Sequence, residues 1–143
     1  WPALLMVIDT SAVLAILQDE PERTAFNARI AAADTRLLSA ASLVELSIVL
    51  EARFGADGQG DLDLFLGTAE IEIVAVDRDQ AELARSAFSR YGKGRHRAGL
   101  NFGDCFSYAL AKGAGVPLLF KGNDFSYTDL ESAWNPLPAE RVG

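Results

Sequence analysis

Short apolar blocks alternate along this chain with longer stretches in which apolar residues return every three to four positions. Leu4 to Ile8, β-branched at Val7 and Ile8, has the unbroken hydrophobicity of a buried strand. Asp9-Thr10-Ser11 follows and suits the start of a helix reaching about Asp19. Pro21 opens a second helix to about Ala33, proline being well tolerated at a first helical position. Arg36 to Ser39 reads as a short strand, and Ala40 to Phe54 as a strong helix ended by Gly55. A loop at Asp57-Gly58-Gln59-Gly60 leads into a short helix, Asp61 to Thr68. Glu70 to Val76 alternates in the manner of a strand. Asp79 to Tyr91 is helical, Gly92 to Gly99 a loop, and Asn101 caps a helix to about Lys112, with Gly113 and Gly115 ending it. Val116 to Phe120 is a last clear strand, followed by a loop with one helical turn and an edge strand. Helices and buried strands in alternation predict an α/β/α sandwich around a central, mainly parallel sheet.

The totals narrow this picture. A chain of 143 residues, half of them hydrophobic, supports one domain with a real core and not two. Trp1 to Leu5 reads as an N-terminal extension before a candidate start at Met6, and residues 136–143 as a flexible tail holding Pro138. The single cysteine, Cys105, excludes an internal disulfide and suits a reducing cytoplasm. No apolar run approaches the roughly 20 residues that cross a bilayer. A net charge of −7 argues against a protein that coats nucleic acid through overall basicity. The charge is uneven, however. Arg85 to Arg97 holds five cations and no acid, so the remainder of a −7 chain carries −12. Helix-end cations that complement the macrodipole account for Arg85 and Arg90. Lys93, Arg95, His96 and Arg97, interspersed with glycine, read as a mobile loop suited to holding a phosphate backbone.

Four acids then change the functional picture. Asp9, Glu45, Asp104 and Asp124 lie within or against MVIDTSAVLAIL, SAASLVELSIVL, LNFGDCFSYALA and PLLFKGNDF. Each has an ordinary explanation: Asp9 as an N-cap, Glu45 in a buried ion pair, Asp104 in a capping box with Asn101, Asp124 in an Asx-turn. Glu45 resists its explanation most, because its helical neighbours Ala41, Ser42, Ile48 and Val49 are small or apolar. Burying a carboxylate without a partner costs several kcal/mol, so four at the edges of core-forming segments suggest one shared counter-charge. A divalent cation held by oxygen ligands is the economical candidate, and it points to chemistry on phosphate.

The same four stretches resemble PIN-domain proteins, and more narrowly the VapC-type toxins of bacterial toxin–antitoxin systems, from Met6 to about Pro138. The resemblance implies a PIN-like sandwich and a Mg²⁺-dependent endoribonuclease, with Mn²⁺ as the alternative ion. Asp9, Glu45 and Asp104 would be its metal-binding and catalytic acids, with Thr10 or Ser11 supporting them through a hydroxyl. Many relatives carry an aspartate where this chain has Gly122; in the FKGNDF variant Asp124 takes that role. Lys93, Arg95, His96 and Arg97 would hold RNA, and Lys121 would reach a phosphate near the site. An antitoxin that blocks the acidic pocket, and homodimers or larger assemblies with it, are also implied.

Other classes predict different things. A structure-specific DNA or RNA nuclease of the same superfamily would carry added binding elements. A phosphoacceptor signalling domain would use Lys121 and an acceptor at Asp77, and leaves Glu45 idle. A catalytically silent RNA-binding module would follow from Gly122. With His96 as the one histidine, a metal-free mechanism on paired histidines is excluded.

Overall fold

The computed structural model describes residues 4–135; most of the expected extension and the whole of the expected tail lie outside them. In chain order the elements are β1 (Leu5–Ile8), α1 (Thr10–Leu17), α2 (Arg23–Ala32), β2 (Thr35–Ser39), α3 (Ala40–Thr68), β3 (Ile71–Val74), α4 (Arg78–Tyr91), α5 (Phe102–Ala114), β4 (Leu118–Leu119) and a 3-10 turn, Asp124–Tyr127. The four strands form one sheet in the order β3-β2-β1-β4, and every pairing is parallel. The expected edge strand after β4 is reduced to a single parallel bridge between Leu118 and Ser132.

Alternation along the strands divides the interior in two. Met6 and Ile8 of β1, Leu38 of β2 and Leu119 of β4 point to one side, where they meet Ala12, Val13 and Ile16 of α1, Phe26 and Ile30 of α2, and Leu46, Leu50 and Leu62 of α3. Val7, Leu37 and Leu118 point to the other, against Ala84, Ala87 and Tyr91 of α4 and Cys105, Tyr108 and Ala109 of α5. Helices on both faces of a parallel sheet make the α/β/α sandwich that the alternation of elements implies.

Two local expectations fail for physical reasons. Pro21 lies in a turn, and α2 begins two residues later at Arg23, with no side chain capping it. The loop expected at residues 57–60 is helical: α3 continues to Thr68 and is broken only at Gly55, at φ 61° and ψ −142°. Gly58 explains the continuation. It is buried, and a Cβ there would stand 2.5 Å from the Leu50 carbonyl oxygen, so glycine marks a close approach after the kink and not a loop. Gln59 donates from its side chain to the Ser47 carbonyl at 2.7 Å and ties the two halves together.

Candidate active site

The chain steps outward from β1 to β2 and β3, then returns to place β4 on the other flank of β1. In parallel sheets such a reversal opens a crevice at the carboxyl ends of the diverging strands, the usual place for ligands. All four acids are carried there by elements leaving that edge. Asp9 follows β1 directly, Glu45 lies in the second turn of α3 after β2, Asp104 in the first turn of α5, and Asp124 opens the 3-10 turn after β4.

The charges of the other three all act on Asp104. The Asp104 carboxyl is raised to about 7: burial raises it most, a hydrogen bond from the Asn101 backbone lowers it, and the charges of Asp9, Asp124 and Glu45 raise it. The capping box is present as well: Asn101 Oδ1 accepts from the Asp104 N–H at 2.9 Å, and Asp104 Oδ2 from the Asn101 N–H at 3.0 Å. Asp104 thus both caps α5 and belongs to the cluster.

Asp9 is only 3% exposed and caps α1. Its Oδ2 accepts from the Ser11 N–H at 3.0 Å and the Ser11 hydroxyl at 2.6 Å, while Oδ1 accepts from the Ser107 hydroxyl at 2.5 Å. The Thr10 hydroxyl donates to Glu45 Oε1 at 2.8 Å. Both hydroxyls therefore serve the acids, Ser11 at Asp9 and Thr10 at Glu45. The Glu45 carboxylate lies against Gly103, where a Cβ would collide with it.

A PIN-domain family model matches residues 6–130. The chain belongs to the PIN-domain family. Among its PIN-domain relatives, Ribonuclease VapC30 of Mycobacterium tuberculosis is 56% identical over 131 residues, covering 92% of this chain and 100% of that protein. Ribonuclease VapC of Mycolicibacterium smegmatis is 58% identical over 125 residues, covering 87% of this chain and 97% of the relative. The solved structure of M. tuberculosis VapC20, described as a sarcin-ricin loop cleaving toxin, superposes with a TM-score of 0.72 at 20% identity, over 92% of this chain and 99% of that one. That last likeness concerns the fold.

The basic residues of this PIN domain are less free than expected. The loop 92–99 is stitched down: Lys93 N–H donates to the Leu100 carbonyl at 2.9 Å, Leu100 N–H to Tyr91 at 2.9 Å and Arg95 N–H to Gly92 at 2.9 Å. Buried Ala98 and Leu100 anchor it. His96 works within the loop, its Nδ1 accepting from the Ala98 N–H at 3.0 Å and its ring meeting Tyr91 edge-on. Lys93, Arg95 and Arg97 are exposed; Arg95 lies over Phe88, and Arg97 stands 4.6 Å from the ring centroid of Tyr127, in the turn that carries Asp124. Lys121 does not point a free ammonium at the site. Its Nζ donates to Glu20 at 2.7 Å, a contact that raises its pKa, and stands 3.4 Å from Glu22 Oε1. Its backbone N–H does serve the site, donating to Ser11 Oγ at 3.0 Å. With the ammonium engaged and Glu45 inside the cluster, the signalling pattern is not assembled.

Ser107, Ser42 and Gly103 are contributions that the sequence reading missed. None of the three breaks a local period, and Gly103 stands in the first turn of α5, where a glycine is unremarkable.

As placed, no three His, Cys, Asp or Glu side chains among the described residues are arranged to hold a metal ion. The donor chemistry nonetheless fits a hard divalent cation. The acids supply only oxygen, and Asp104 is pushed up partly by three unneutralised neighbours. Cys105 is no competitor, its buried thiol pushed up to about 11 and donating to the Asn101 carbonyl.

Proposed function

We propose that this PIN domain is the toxin of a toxin–antitoxin pair and an endoribonuclease dependent on Mg²⁺ or Mn²⁺. The observation that carries the reading is the convergence of Asp9, Glu45 and Asp124 on Asp104, whose carboxyl rises to about 7. The naming of its relatives as VapC ribonucleases supports RNA as the substrate.

Asp9, Glu45 and Asp104 would hold the ion, with Asp124 as the fourth acid. The ion would supply positive charge to polarise the scissile phosphate and lower the pKa of an attacking water. The protein's own part is orientation. Ser11 and Ser107 fix the Asp9 carboxylate, Thr10 fixes Glu45, and the capping box fixes Asp104. Lys93, Arg95 and Arg97 hold the flanking backbone. Hydrolysis then leaves a 5′-phosphate and a 3′-hydroxyl. A basic antitoxin segment complements the acidic pocket. The exposed Val44 and Ile48 on α3 offer an apolar face for a second copy.

The test is cleavage of total RNA by the purified chain with Mg²⁺ or Mn²⁺ and in EDTA. Metal-dependent cleavage is expected to fall more than about 100-fold in Asp9→Asn and in Glu45→Gln, beyond what supporting partners of a ligand usually cost. Undiminished cleavage in EDTA overturns the reading.

A further inference from the structure

We propose that Ser107, aided by Ser42, positions Asp9 so that it meets the divalent cation through one lone pair of Oδ1. The inference rests on the nuclease reading above and assigns a role to two hydroxyls outside the acidic set.

An ionised carboxylate offers about four lone-pair positions, two on each oxygen. Ser11 fills both on Oδ2, through its N–H at 3.0 Å and its hydroxyl at 2.6 Å. Ser107 fills one on Oδ1 at 2.5 Å. One position remains, and it is on Oδ1. Asp9 is a one-point ligand because its other positions are occupied, and Ser107 decides which direction stays open.

Ser107 is itself held. It is 0% exposed and Ser42 1%, and an unpartnered hydroxyl buried so deeply is costly. Their Oγ atoms lie 3.4 Å apart. A serine has one proton to give. Ser107 gives its own to Asp9, so Ser42 is the donor between the two, and the hydroxyls run in one direction: Ser42 to Ser107 to Asp9.

Helical spacing gives the arrangement its logic. Ser107 follows Asp104 by three residues on α5, and Ser42 precedes Glu45 by three on α3, so each hydroxyl shares a helix face with a cluster acid. The two helices present a layer of carboxylates and, beside it, a layer of hydroxyls. Asp9 joins the hydroxyl layer through its bond from Ser107, and its charge acts on Asp104.

The experiment is Mn²⁺ binding to the full chain by calorimetry, with no RNA present, for wild type, Ser107→Ala, Ser107→Cys, Ser42→Ala and the Ser42→Ala/Ser107→Ala double variant. Cysteine nearly preserves the volume and donates weakly, which separates orientation from packing. Mn²⁺ affinity is expected to fall about tenfold in both Ser107 variants, the scale seen when a ligand loses its orienting partner. Ser42→Ala is expected to weaken binding less, and to add nothing once Ser107 is alanine. Wild-type affinity in Ser107→Cys, or a Ser42→Ala loss that persists in the double variant, overturns the inference. A wild-type chain that binds no Mn²⁺ overturns the nuclease reading itself, and this inference with it.

Discussion

Asp104 is asked to cap a helix and to share a pocket with three other carboxylates, and its protonation records the conflict. Its folded-state value of about 7 lies above the ordinary 3.8, so between those values the folded chain holds a proton that the unfolded chain has released. Stability therefore falls as pH rises from about 4 to about 7 and levels off above that. Asp104→Asn keeps an acceptor for the Asn101 N–H but cannot ionise. In thermal melts with chelator it should lose this slope and melt higher than wild type at pH 7.5, while RNA cleavage is abolished. Gly122 carries a second consequence. At φ +98° it occupies backbone space that side-chain-bearing residues rarely adopt, although nothing stands within 4 Å of a Cβ. An aspartate there costs about 1–3 kcal/mol of strain. Gly122→Asp should therefore lower the melting temperature and fail to restore cleavage to Asp124→Ala. The acids themselves were legible because each broke an apolar pattern. Ser107 and Gly103 were not, since a small residue marks a long-range contact without disturbing any local period.

Among the elements, the boundaries that misled are those where glycine has two meanings. Gly55 does end a run of helical backbone, as its position after Phe54 suggested. Gly58 belongs to the opposite case, a helix interior emptied to let Leu50 approach. Only the tertiary contact distinguishes them. The loop 92–99 was legible as basic but its internal bonding was not, because its anchors are backbone bonds and the buried Ala98 and Leu100. Arg97 connects this loop to the turn bearing Asp124 through the Tyr127 ring. Arg97→Ala is expected to weaken RNA binding several-fold and to lower the salt slope of log K by about 0.7, the share of one phosphate contact on a single strand. An unchanged slope would leave Arg97 as a loop fastener alone.

At the scale of the molecule, the order β3-β2-β1-β4 matters more than any single contact, because it puts the reversal of the chain beside Asp9. Alternating elements made a parallel sandwich readable; strand order was not, since it depends on which flank of β1 receives the last strand. Gathering four acids at one edge leaves a folded chain with unbalanced charge there. Mg²⁺ should therefore raise the melting temperature, by an amount equivalent to about 2.7 kcal/mol when the free ion stands at 100 times its Kd. Differential scanning calorimetry across a Mg²⁺ series checks this, and Asp9→Asn should blunt the response.

Strand β4 has a last consequence, in time. It supplies one wall of the crevice yet spans only Leu118–Leu119, near the end of the described chain, and Asp124 comes later still. During synthesis the first three strands emerge before that wall exists, while a domain folds as a unit. A chain that stops short of β4 therefore lacks one wall of the crevice and Asp124 with it, and completing the fold and completing the cleft are one event.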